Sequence, residues 1–136
     1  MKYDLFLGGP WERFAPFPYK TEIKNAFLGK NLFDPESQDS QKTGEWFEDN
    51  YNALENSLAM VALVPSFPFP GVGPEAGIFY SKRRGSAKLL AKPLDELTII
   101  WPKELKPDYG KRVAEKMGYV VTNSEEAIAR LKIVLK

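Results

Sequence analysis

The run LAMVALV, Leu58 to Val64, places seven apolar residues in a row. Short and unbroken, it reads as a strand covered on both faces, the habit of strands inside parallel sheets. It leads into PSFPFPGVGPEAG, Pro65 to Gly77, with four prolines, three glycines, two phenylalanines and a single carboxylate, Glu75. A stiff, apolar, glycine-bearing loop thus carries one acid to the end of a central strand. The segments on either side have helical character. Upstream, EWFEDNYNALENS (Glu45 to Ser57) gathers Trp46, Phe47, Asn50, Tyr51, Ala53 and Leu54 on one arc at 100° per residue. Glu48 and Glu55 point away from that arc, and Asp49 sits on its edge. Downstream, EAGIFYSKRR (Glu75 to Arg84) reads as a helix stopped by Gly85.

The alternation extends in both directions. YDLFLGG (Tyr3 to Gly9) is a first strand ending in a glycine turn, and PWERFAPFP is a proline-broken loop. A helix starts near Pro18 and stops at Gly29, since proline suits the first helical turn. NLFDP (Asn31 to Pro35) is a short second strand and ESQDSQKTG (Glu36 to Gly44) a polar loop. LTIIW (Leu97 to Trp101) is a buried strand, DYGKRVAEKMG (Asp108 to Gly118) a helix and YVVTN (Tyr119 to Asn123) a last strand. The closing helix SEEAIARLKIVL has Asn123 and Glu126 at capping-box spacing. Strand and helix alternate about five times, which predicts a doubly wound, Rossmann/flavodoxin-like five-stranded parallel sheet with helices on both faces, as one domain over 1–136. In such sheets ligands bind beyond the carboxyl ends of the strands, where the strand order reverses. The loops leaving the first and third strands, beginning at Gly8 and Pro65, open on that edge.

Composition narrows the chemistry. The chain has 136 residues, 43% hydrophobic and 13% aromatic, which suits a single folded core. A net charge of +1 gives no broad footprint for a nucleic acid polymer or an acidic membrane. The basic cluster SKRRGSAK (Ser81 to Lys88) reads as a solvated helix end rather than a phosphate site. With neither cysteine nor histidine, disulfides, thiolate metal sites and Ser-His-Asp or Cys-His catalysis are all excluded. Any catalysis falls to carboxylates, tyrosine, lysine or backbone donors. MKYDLFLGGP lacks a long apolar signal region and no run approaches the ~18 residues of a membrane span, so a soluble cytoplasmic protein is expected.

Among the carboxylates Glu75 stands out. Just after Pro74 at a helix start, it has the ordinary reading of an acid in a first helical turn. The same N–H groups keep a nucleophilic carboxylate ionised, and Gly71, Gly73 and Gly77 allow close approach of a ligand. GVGPEAG lacks the Lys-Ser/Thr pair of a phosphate-binding loop. GGPWER, after the first strand, is either a packed turn or a ligand site in which Gly8 and Gly9 admit a ligand and Trp11 covers it; Arg13 reads as a surface arginine. Asp49 and Glu75, from different elements, can serve as acid and nucleophile at a glycosidic carbon, a pairing that retaining glycosidases hold about 5 Å apart.

The order FLGGPW, FDPESQ, a helix with Asp49, a buried strand, then GVGPEAG resembles the nucleoside 2-deoxyribosyltransferase family, over most of Tyr3 to Ser81. The resemblance implies a small doubly wound domain, homo-oligomers and no metal or organic cofactor. It implies that Glu75 attacks the sugar C1′ of a nucleoside, with Asp49 contacting or protonating the base and Gln38 hydrogen-bonding it. Gly8 and Trp11 match the turn after the first strand. Phe6 stands where the family often has a tyrosine, and SFPFP replaces its loop acids. The expected substrate-binding set is Phe6, Gly8, Trp11, Gln38, Phe69, Gly71 and Gly73, with Phe67 beside Phe69. The expected partners are a nucleoside or nucleotide and a free base. Two alternatives share the fold: hydrolysis of a nucleoside 5′-monophosphate, and nucleotide binding without turnover.

Overall fold

A computed structural model describes residues 1–38, 44–64, 74–84 and 92–136. Five strands, β1 (Tyr3–Gly8), β2 (Leu32–Phe33), β3 (Ser57–Leu63), β4 (Leu97–Ile100) and β5 (Tyr119–Val121), form one parallel sheet in the order β2-β1-β3-β4-β5. Among the described residues five α-helices connect or follow them: α1 (Tyr19–Ala26), α2 (Trp46–Glu55), α3 (Pro74–Arg84), α4 (Tyr109–Met117) and α5 (Ser124–Val134). This is the doubly wound, flavodoxin-like arrangement. None of the described helices is long and apolar enough to cross a membrane.

Strand alternation divides the core in two. Phe6, Met60, Ala62, Leu97 and Ile99 point to one face, where Leu54 of α2, Phe79 and Tyr80 of α3 and Ala114 of α4 cover them. Leu5, Leu7, Ala59, Val61 and Leu63 point to the other, under Tyr19 and Ile23 of α1 and Ala127 and Leu131 of α5. Every residue from Ala59 to Val64 is buried, whereas Leu58 is 47% exposed.

The elements depart from expectation mainly at their ends. Helix α1 finishes at Ala26, three residues before Gly29. The stretch expected as a polar loop starts with a 3-10 turn, Pro35–Ser37, because the Asp34 side chain accepts from the Glu36 amide at 3.0 Å. Asp108 caps α4, accepting from the Lys111 amide. At α5 the Asn123 carboxamide accepts from the Glu126 amide at 2.8 Å, but the Glu126 carboxylate reaches one residue further back, to the Thr122 amide and hydroxyl at 2.7 Å each. Residues 39–43, 65–73 and 85–91 lie outside the described residues, and with them Phe67, Phe69, Gly71, Gly73 and the Gly85 helix stop.

Candidate functional site

Strand order reverses at β1. The chain leaves β1 through α1 to reach β2 on one side, then returns through α2 to β3 on the other. The carboxyl ends of β1 and β3 therefore border the crevice where such folds bind ligands. A cavity of about 480 Å³ lies there. The turn after β1 contributes Gly9 and Trp11, α1 contributes Lys20, and the 3-10 turn contributes Pro35. From α2 come Trp46, Phe47, Asn50, Tyr51 and Leu54, the inward arc of that helix. Glu75 and Ile78 come from α3.

The turn at Gly9 requires glycine. Its φ is +109°, and a Cβ there would stand 2.6 Å from the Leu63 carbonyl oxygen of β3. Close approach of the two strand ends leaves Gly9 on the cavity wall with Glu75. Glu75 is largely buried, and burial pushes its carboxyl above the usual range; the nearby Lys20 charge and the Gly9 hydrogen bond oppose that rise without cancelling it. Desolvation thus works against the ionised form that the helix start favours.

Lys20 is 3% exposed. A buried ammonium needs partners, and it has Asp34 at 2.7 Å and Glu36 at 3.2 Å. Asp34 also bridges Lys24 at 2.6 Å and accepts from the Ser37 hydroxyl at 3.1 Å. Burial by itself would raise the Asp34 carboxyl, but hydrogen bonds from the two lysines carry it below the usual range. Glu36 accepts in addition from the Glu12 amide at 2.8 Å. One charged cluster thus ties the turn after β1, the start of α1 and the segment after β2 together.

The α2 wall differs in kind. Trp46 and Phe47 meet edge to face, centroids 6.1 Å apart, and both are partly exposed at the mouth. The Lys82 ammonium, paired with Glu55 at 3.1 Å, lies over the Tyr51 ring, 5.1 Å from its centroid. The buried Asn50 Oδ1 has no hydrogen-bond partner among the described residues.

Of the residues singled out in the sequence, Glu75 and Trp11 line the cavity. Gly8 ends β1 next to Gly9, and a Cβ on it would meet the Met60 methyl at 2.6 Å. Phe6 lies in the core, fully buried and stacked on Phe33 at 5.4 Å, rather than on the cavity wall. Gln38 donates to the Asp34 carbonyl at 3.1 Å, closing the 3-10 turn, and is not among the lining residues. Asp49 is exposed to solvent and also off the lining, so Asp49 and Glu75 do not share this cavity. The guanidinium of Arg13, at the surface, lies over the Trp11 and Phe14 rings at 5.2 and 4.7 Å.

Sequence reasoning did not single out Lys20 and Asn50, which line the cavity, or Tyr19, whose hydroxyl donates to the Gly8 and Pro10 carbonyls around Gly9. The α2 arc already contained Asn50 beside Trp46 and Phe47. For Tyr19 and Lys20 the signal was position: a helix that follows β1 starts at the ligand-binding edge. No group of three or more acidic side chains that could hold a metal ion occurs among the described residues. Comparison with protein-family models, curated proteins and solved structures finds no match in any of the three.

Proposed function

We propose that this chain cleaves the N-glycosidic bond of a nucleoside, of the 2′-deoxy class, and transfers the sugar through Glu75 to another base or to water. The supporting observation is the placement of Glu75. It is the one carboxylate among the described lining residues, at the crevice between β1 and β3, in a cavity whose walls include Trp11, Trp46, Phe47 and Tyr51. Aromatic walls suit a planar base, since stacking on them is worth about 1–3 kcal/mol per base. The Asn50 amide supplies a polar edge for that base.

The Glu75 carboxylate oxygen attacks C1′ and the C–N bond breaks. Its electron pair leaves with the base, which takes up a proton, and a glycosyl ester remains on Glu75. A nitrogen of a second base, or water, then attacks C1′ and loses a proton, and the carboxylate departs. The transition state is oxocarbenium-like, so a nearby negative charge stabilises it. A free nucleoside fits better than its 5′-phosphate, because Lys20, the single cation among the described lining residues, is already paired with Asp34 and Glu36. The family resemblance adds homo-oligomeric assembly and a place in nucleotide salvage, which belongs to the cytoplasm.

Incubation with deoxyinosine and adenine tests the reading. Deoxyadenosine indicates transfer; hypoxanthine without a new nucleoside indicates hydrolysis. Glu75→Ala lowers either rate at least ~10³-fold, the scale of losing a nucleophile, and abolishes the sugar adduct seen by mass spectrometry. Wild-type rates in Glu75→Ala, or no turnover by the native chain, overturn the proposal. Running deoxyinosine monophosphate in parallel separates nucleoside from nucleotide chemistry, and sedimentation velocity reads the assembly.

A further inference from the structure

Tyr19 and Lys20 are neighbours in the first turn of α1, with side chains 0% and 3% exposed. Tyr19 does not line the cavity. Its hydroxyl shares a proton between the Pro10 carbonyl at 2.6 Å and the Gly8 carbonyl at 3.2 Å. Those carbonyls flank Gly9, which lines the cavity with Glu75. The phenol therefore pins both sides of a left-handed turn that a modest peptide rotation would aim elsewhere. Lys20 does line the cavity, with Glu75. Its ammonium has three N–H donors, of which Asp34 and Glu36 take two.

We propose that Tyr19 and Lys20 are positioning residues for Glu75: the phenol fixes the Gly9 amide that orients the carboxylate, and the ammonium supplies the countercharge that keeps it ionised. The inference rests on the reading of Glu75 as the nucleophile and concerns how that group is made ready. Neither residue touches the reacting atoms. A carboxylate in a desolvated site takes up a proton readily and is then useless for attack. The remaining charged and titratable groups nearby are committed elsewhere. Asp34 and Glu36 pair with Lys20, Lys82 pairs with Glu55 at 3.1 Å and lies over the Tyr51 ring, and Arg83 donates to the Ser57 carbonyl. Lys20 and the Gly9 amide are the groups that favour the charged form of Glu75.

The experiment is a ¹³C NMR titration of the intact chain labelled at the glutamate carboxyls, with Glu75→Gln assigning the resonance. Tyr19→Phe and Lys20→Gln each move the Glu75 titration to higher pH, Lys20→Gln further. The acid limb of kcat/KM moves with it. On that limb the rate falls about tenfold for every pH unit the titration is displaced, and the loss closes again at high pH. Lys20→Arg, which keeps the charge, restores the native titration. Lys24→Gln breaks the other Asp34 bridge away from the cavity and leaves Glu75 unmoved. Tyr19→Phe lacks a single oxygen, so it keeps the test open if Lys20→Gln fails to fold. A Glu75 titration unchanged in Tyr19→Phe, and in Lys20→Gln where that variant folds, overturns the inference, as does a rate loss that is equal at every pH. A titration that moves in a chain without glycosyl transfer retains the positioning pair and removes the nucleophile reading instead.

Discussion

Helices α1 and α2 lie on opposite faces of the sheet and contribute to the same cavity by different means. The first turn of α1 is buried and closed: the Tyr19 hydroxyl and the Lys20 ammonium both have partners at hydrogen-bond distance. The α2 wall is open and mostly apolar, with Trp46 47% and Phe47 62% exposed and an Asn50 amide oxygen that has no partner among the described residues. The contrast teaches a division of labour. Paired charges hold a geometry and tolerate little change, whereas exposed rings accept any planar partner of about the right size. Under the proposed function, the α1 side sets the state of Glu75 and the α2 side receives the base.

The α1 side breaks first and hardest. Asp34→Ala leaves Lys20 buried with a weakened set of partners, and removal of one member of such a pair costs about 3–5 kcal/mol. Urea denaturation reads this as a lower midpoint. The Asp34 carboxyl titrates below its unfolded range, so its contribution is present above the unfolded pKa and is lost as pH falls through the depressed folded one.

On the α2 side effects fall on binding, not on folding. Trp46→Ala weakens adenine binding by about 1–3 kcal/mol, the worth of one stacking partner, with the urea midpoint little changed. Asp49→Asn, one face over on the same helix, alters adenine affinity by less than ~2-fold. Calorimetric titration of both variants tests the pair, and a large loss in Asp49→Asn would move base recognition to the outer edge of α2.

The smallest effect is a gain. Glu75 binds its proton more tightly folded than unfolded. Between the two pKa values the folded chain holds the extra proton, so stability declines as pH rises through the folded value. Glu75→Gln is therefore more stable than the native chain at pH 8, and the difference shrinks toward pH 4. Thermal melts at the two pH values check the sign.

The architecture was legible because it depends on local periodicity. LAMVALV announced a covered strand, and the 100° arc of α2 already held every one of its cavity-lining residues. The charged cluster was not, because its members come from three segments: Lys20 from α1, Asp34 and Glu36 from the region after β2, and the Gly9 turn from β1. Such pairs arise only after the sheet has set its register, Leu5 beside Leu32 and Phe6 beside Phe33. Asp49 illustrates the opposite failure. Its pairing with Glu75 as two carboxylates from different elements was suggestive, but helix rotation turned it to solvent and put its neighbour Asn50 on the wall. Gln38 and Phe6 went to structural work, closing a turn and filling the core.

The brevity of β2 carries a further consequence. This edge strand is two residues long, with little ladder to secure it. The segment after it is moored instead by Asp34 and Glu36 to α1 and the turn before it. An edge held by ionic moorings opens separately from the hydrophobic interior. In hydrogen exchange under increasingly acidic conditions, the amides of Glu36 and Ser37 lose protection while those of Ala59 to Leu63 keep theirs. Acid therefore dismantles the site before the fold, leaving an intact sheet with a disarmed cavity that rebuilds when the carboxylates recover their charge.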